Sequence, residues 1–305
     1  MNQNLEELLN KKVVKRIFNE KKEELGLSSN FDVMEIKRYP ALAPETYTIL
    51  YAILDNGQKR LFRGNASSEN DRSNSIKILK FLEKDFSQGQ FLIPKNHAYN
   101  SDYNLLLYEN VDGEILTNEL NLELADLEEK VELAAFWLAK LHSCGDNLDL
   151  PQYRFTFVED YLIKTYPELT KNLNNRVQEL NSQLSTRKKV LVHGDYQTNN
   201  IIINDNNIWV FDFNDSAIDN PMLDIASFLC QLRTMLLRFA DIDDFPTLER
   251  KFLSSYKISD EERNDLKIYQ KLYFIKILSS LSATLSDSDP KKKLILANIY
   301  KFYET

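Results

Sequence analysis

The residues with chemical potential are concentrated in one segment, LVHGDYQTNNIIINDNNIWVFDF, residues 191–213. It sets His193, Asp195 and Asn200 in an H-x-D-x-x-x-x-N frame and carries Asp212 at the end of its last apolar run. Phosphoryl transfer asks a protein for a carboxylate that orients the attacking hydroxyl and for oxygen ligands to a Mg²⁺ ion on the nucleotide phosphates. The apolar runs NIII and IWVFDF flank the turn cluster NDNN, so the chain folds back and Asp212 returns towards the loop bearing Asp195. The competing reading of Asp195, Asn200 and Asp212 is an Asx-rich turn between strands. His193 reads as an organiser of the loop by hydrogen bonding, not as a proton carrier.

Positioning such groups needs a scaffold, and the patterning along the chain supplies one. Apolar residues Leu5, Leu8, Leu9, Val13, Ile17 and Phe18 recur at helical spacing, which predicts an amphipathic helix over residues 4–25 ending near Gly26. Three strands follow at Asp32–Arg38, Thr46–Leu54 and Gln58–Arg63, the last two joined by the hairpin signal Asp55-Asn56-Gly57. A helix is expected over 69–84, with Ile76, Leu79 and Leu82 on one face, and a strand over 103–108. From about residue 118 the pattern is mostly helical except for the short apolar strands of 189–213. Trp137 and Trp209 sit in apolar patterns and read as core, and His142 reads as a packed helix-end residue.

Composition narrows the function classes. The chain has 305 residues, a length natural for two lobes, and 43% hydrophobic with 28% charged residues is a globular balance. The net charge of −8 argues against a general nucleic-acid binder. The acidity lies in the second part: the net charge is +1 through Asn110 and −9 beyond it. That excess is either a solvated helical surface or an acidic cleft for a cationic acceptor, with Asp215, Asp219, Asp241, Asp243 and Asp244 as candidate lining. Seven glycines build no G-x-G-x-x-G fingerprint. Cys144 and Cys230 have no metal-ligand spacing and read as free thiols, and the three histidines lie too far apart to support a zinc site. Neither a secretory signal nor a membrane-spanning run is visible, so a soluble cytoplasmic protein without membrane or nucleic-acid partners is expected.

The 191–213 segment resembles the Brenner motif of the aminoglycoside phosphotransferase and choline kinase-like family, relatives of protein kinases. Other stretches fit in order. LLLYENVDGEIL (105–116) resembles the interlobe hinge, ELAAFWLAKLHS (132–143) the long helix ending in Leu-His, and DNPMLDIASFL (219–229) the helix start that carries a loop-bracing Asp, here Asp224. The resemblance implies an α+β, two-lobed, protein-kinase-like fold. Residues 1–108 would form a small antiparallel-sheet N-lobe that binds the nucleotide, and 109–305 a larger, mostly helical C-lobe for catalysis and acceptor binding. It further implies that Asp195 is the catalytic base, that Asn200 and Asp212 hold Mg²⁺, and that ATP meets Tyr108, Glu109, Asn110 and Val111 with its adenine.

Departures from the family pattern stand out in the lysine–glutamate pair and in the nucleotide-covering loop. The strand-three lysine that meets the phosphates is Arg63 here, whose planar fork differs from an ammonium point charge. Ser75 stands where the partner helix glutamate is expected, with Glu69 and Asp71 as replacements one turn or more earlier. The loop YPALAPE (39–45) has no glycine, unlike the nucleotide-covering loop of protein kinases. The expected activity is ATP-dependent phosphorylation of a hydroxyl on a small-molecule acceptor of aminoglycoside, amino-alcohol or sugar type. The alternative is a non-catalytic nucleotide-binding scaffold of the same fold. Gln197 is a choline-kinase-like feature, whereas the stretch after Asp224 lacks the Trp-Glu-rich pattern of choline kinases.

Overall fold

A computed structural model describes residues 4–40, 45–145, 148–150, 189–204, 206–240, 242–286 and 288–304. Two compact units result: Met1–Gly113 with Asn204–Asn214, and Glu114–Ile203 with Asp215–Thr305.

The first unit is built on strands β1 (Phe31–Tyr39), β2 (Thr46–Asp55) and β3 (Gln58–Ser67), followed by α2 (Ser73–Phe86). Short strands β4 (Phe91–Leu92) and β5 (Ala98–Asn100) lead to β6 (Leu105–Glu109). The sheet has five antiparallel strands in the order β1-β2-β3-β6-β5. The β2–β3 hairpin closes on the pair Asp55–Gln58, with Asn56 at φ 47° and Gly57 at φ 82°. Two successive left-handed residues are what a tight hairpin matching the strand twist requires, and Asn-Gly accepts them most cheaply. The expected strands are present, and β3 runs on to Ser67.

The N-terminal helix differs from expectation. It is split into a 3₁₀ turn, Leu5–Leu9, and an α-helix α1, Lys11–Glu20. Asn10 makes the break: its backbone is extended and its side chain accepts from the Lys12 N–H at 2.9 Å, capping a new helix instead of continuing the old one. The apolar period crosses this break undisturbed, so both pieces still bury Leu5, Leu8, Val14, Ile17 and Phe18 in the sheet-facing core. Phe18 is fully buried and meets Tyr51 and Phe62 edge-on, with ring centres 5.3 and 5.5 Å away. Helix α2 begins at Ser73 instead of 69 and buries Ser75, Ile78, Leu79, Leu82 and Phe86, while Ile76 is only half-buried.

The second unit contains β7 (Glu114–Ile115), α3 (Leu124–Ser143), β8 (Val190–Val192), β9 (Ile201–Asn204), β11 (Ala217–Asp219) and helices α4 (Met222–Phe239), α5 (Phe245–Tyr256), α6 (Asp260–Thr284) and α7 (Pro290–Glu304). Strand β10 (Asn207–Val210) belongs to the first unit and pairs in parallel with β4. Helix α3 packs on α5 and on β8, and α4 packs on α6. A capping box opens α6: the Ser259 hydroxyl accepts from the Glu262 N–H at 3.3 Å and the Glu262 carboxylate accepts from the Ser259 N–H at 2.8 Å. Trp137 is fully buried and stacks on Tyr196 at 5.8 Å, as its apolar pattern suggests, whereas Trp209 is half-buried. Both cysteines are free.

Phe18→Ala removes the ring shared by α1 and the sheet. It should lower stability by about 3–5 kcal/mol, read from urea unfolding. A loss under about 1 kcal/mol would show that this contact is not central to the first unit.

Candidate functional site

In the second unit the antiparallel pair β8–β11 brings residue 192 opposite 217, and the chain leaves β8 directly into the loop 193–200. Asp224, two residues into α4, is fully buried. Its carboxylate accepts from the backbone N–H of His193 at 2.6 Å and of Gly194 at 2.8 Å, and meets His142 Nε2 at 3.0 Å. His142, at the end of α3, holds the Tyr256 hydroxyl at 2.7 Å through its other ring nitrogen. Asp224 therefore braces the loop. Gly194 takes φ 84°, and a Cβ there would lie 2.0 Å from the Asp215 carbonyl oxygen, so only glycine fits. His193 is fully buried, with its Nδ1 accepting from the Asp195 N–H at 3.3 Å and its carbonyl accepting from Ser216 at 2.9 Å. That is an organiser's set of bonds.

The braced loop presents Asp195 and Asn200 together. Asn200 Nδ2 donates to the Asp195 carbonyl at 2.9 Å and to its Oδ2 at 3.2 Å. Gln197 Nε2 donates to the same Oδ2 at 2.7 Å. Oδ2 is thus held by two amides, and the contact at Oδ1 is Lys276 Nζ at 3.9 Å, beyond hydrogen-bond reach. Asn200 uses its nitrogen on Asp195, which turns its amide oxygen to other work. Lys276, from the middle of α6, and Gln197 as a carboxylate clamp were not recognisable by spacing. Lys276 lies 81 positions along the chain from Asp195, and one glutamine in a loop carries no pattern.

In the first unit, Asp212 lies two residues past the end of β10 instead of on the strand, with φ 71°. Its Oδ1 accepts from Asn214 Nδ2 and stands 3.8 Å from Arg72 Nη1. Asn214 in turn accepts from the Ser75 hydroxyl at 2.7 Å. Ser75 therefore does not stand in for a carboxylate beside Arg63. Glu69 is exposed, and Asp71 accepts from Tyr99 at 2.7 Å and from Ser73, so neither expected replacement reaches Arg63 among the described residues. Arg63 lies opposite Tyr108 in the β3–β6 register. Burial pushes the Tyr108 phenol up to about 12, and the charges of Arg63, Asp212 and Arg72 all act on it. These four residues thus share one neighbourhood.

The 108–111 segment is fixed by its own unit. The Glu109 N–H donates to Lys95 and the Asn110 N–H to Leu61 at 3.0 and 2.8 Å. The Glu109 carboxylate accepts from Arg60 at 3.1 Å and from Asn96. Asn110 Nδ2 donates to the Val111 carbonyl at 3.2 Å. Of the acidic residues weighed as a cleft, Asp215 is exposed and Asp219 accepts from the Asn220 N–H at 2.7 Å and from Tyr269 at 3.4 Å. Asp241, like residues 41–44 of the glycine-free loop, lies outside the described residues.

Comparison with known proteins follows from this geometry. The sequence pattern of the phosphotransferase enzyme family matches residues 54–263. No curated protein matches the chain. Among solved structures, amicoumacin kinase hAmiN in complex with AMP-PNP, Ca²⁺ and Ami is 15% identical with a TM-score of 0.67, over 100% of this chain and 97% of that one. The streptomycin–ATP–APH(2″)-IIa ternary complex is 19% identical with a TM-score of 0.56, over 97% of each chain. A Plasmodium vivax ethanolamine kinase is 17% identical with a TM-score of 0.58, over 96% of this chain and 89% of that one. At these identities the likeness is one of fold, the α+β protein-kinase-like one.

Asp224→Ala leaves two buried N–H donors without an acceptor, at about 1–3 kcal/mol each. Denaturant unfolding should show a total loss of about 2–6 kcal/mol. A loss below about 1 kcal/mol would mean that the loop holds its shape without the brace.

Proposed function

The chain belongs to the phosphotransferase enzyme family, and from that premise we propose that it transfers the γ-phosphate of ATP to a hydroxyl of a small molecule of aminoglycoside, amino-alcohol or sugar type. One observation carries the reading: the loop carboxylate of Asp195 has one oxygen clamped by Gln197 and Asn200 and the other, among the described residues, facing no hydrogen-bond donor closer than Lys276 at 3.9 Å. A carboxylate clamped on one side is a fixed acceptor on the other, as orienting an attacking hydroxyl requires. A scaffold would have no use for it.

In this reading residues 1–108 serve the nucleotide and 109–305 catalysis and the acceptor. The hydroxyl donates to Asp195 Oδ1, and its oxygen attacks the γ-phosphorus. The bond from that phosphorus to the β,γ-bridging oxygen breaks, ADP leaves and the hydroxyl proton passes to Asp195. Arg63 meets a phosphate. Since the N–H groups of Glu109 and Asn110 are taken by the carbonyls of Lys95 and Leu61, an adenine would find its donor at Val111 and its acceptors among the carbonyls of Tyr108 to Val111. In this reading Asn200 and Asp212 would hold Mg²⁺: the chemistry of an amide oxygen and of a carboxylate, both hard ligands, is of the kind it prefers. When bound, Mg²⁺ would neutralise charge on the phosphates.

Asp195→Asn keeps the shape and removes the base. Turnover should fall by about two or more orders of magnitude, with melting temperature and ATP affinity nearly unchanged; kcat within a few-fold of wild type would remove Asp195 from the chemistry. Asp212→Ala should weaken ATP binding measured calorimetrically with Mg²⁺ present. Equal affinity in variant and wild type would contradict its role as a metal ligand.

A further inference from the structure

We propose that Arg72 is a second phosphate-binding residue, which works with Arg63 as a pair of guanidinium groups on the nucleotide's phosphate chain. The proposal rests on the reading of the protein as an ATP-dependent phosphotransferase and deepens it at the nucleotide side.

Arg72 immediately precedes α2, one helical turn before Ser75. Its side chain is 11% exposed. Burying a guanidinium is costly unless its N–H groups find acceptors. Here, among the described residues, Nε and Nη1 have no hydrogen-bond partner, and the nearby Asp212 carboxylate, 3.8 Å from Nη1, gives charge balance without a hydrogen bond to it. Arg63 shows the same feature, with a buried and unpartnered Nε. Both charges act on the Tyr108 hydroxyl, as does Asp212. Two cations and one carboxylate leave a positive neighbourhood of unfilled, forked donors, which matches the oxygens of a di- or triphosphate.

Two details explain why Arg72 takes this part. The position one turn along α2, where a carboxylate partner for the strand-three residue was expected, is Ser75, and its hydroxyl donates to Asn214. Asn214 donates to Asp212. The first turn of α2 is therefore tied to the 212–214 turn by neutral groups, and no helix carboxylate draws either arginine away from a ligand. Arg72 is held at the same turn by its carbonyl, which accepts from the Ser75 N–H at 3.1 Å.

The experiment is calorimetric titration of ATP and of adenosine into wild type, R72Q and R72K, with and without Mg²⁺, beside thermal melting. R72Q should weaken ATP binding tenfold or more and leave adenosine within twofold. R72K should lie between, since it keeps the charge and loses the fork. ATP affinity within twofold of wild type in R72Q overturns the proposal. So does an equal loss for ATP and adenosine, the outcome of a purely structural ion pair with Asp212. If R72Q does not fold, R72K decides: a several-fold loss for ATP alone supports the pair, and unchanged ATP binding overturns it. Wild type that binds neither ligand overturns the phosphotransferase reading itself, and this assignment with it.

Discussion

The carboxylate of Asp224 is the contact on which the second unit's candidate site depends. It is fully buried and takes the N–H groups of two consecutive residues, His193 and Gly194. Two adjacent donors can aim at one acceptor only in a tightly curved backbone, and Gly194 supplies the left-handed residue that the curve needs. Once that curve is fixed, the direction in which Asp195 leaves the loop is fixed too, and Asn200 can close back on it through two bonds. His142 and Tyr256 extend the brace into α3 and α5. Hydrogen bonds of this kind are individually modest, but a buried and fully used acceptor is expensive to replace. The rigidity of Asp195 is borrowed from three helices, α3, α4 and α5; the proposed role of orienting a hydroxyl needs such rigidity.

The first unit holds a cluster of positive charge, with Arg63 and Arg72 both acting on Tyr108. Its sheet is ordinary: hairpin-connected strands over an aromatic core of Phe18, Tyr51 and Phe62. The unusual feature is the pair of arginine at 63, on the central strand β3, and serine at 75, in α2. A glutamate at 75 would neutralise a strand-three cation; the serine bonds to Asn214 instead. Asp212, 3.8 Å from Arg72 Nη1, supplies a balancing charge.

Much of this was legible in the sequence because it is local. Alternation and the Asp-Asn-Gly turn identify β2 and β3, and the H-x-D-x-x-x-x-N spacing marks Asp195 and Asn200 before any fold is known. The bracing part of Asp224 was legible only through the family resemblance. The break at Asn10 was hidden because the apolar period runs through it, and a single side-chain bond to Lys12 decides the matter. Arg72, Lys276 and the Ser75–Asn214 bond were not legible at all. Each joins residues from distant parts of the chain, 81 to 140 positions apart, and one-residue signals at such separation leave no pattern to read.

The central claim is phosphoryl transfer to a small-molecule hydroxyl. The most direct test incubates the full chain with ATP, Mg²⁺ and a mixture of amino alcohols, sugars and aminoglycosides, and follows ADP release together with the mass of every acceptor. One acceptor class should gain a phosphoryl group in step with ADP formation. ATP that binds and is never transferred, with every acceptor unchanged in mass, would contradict it.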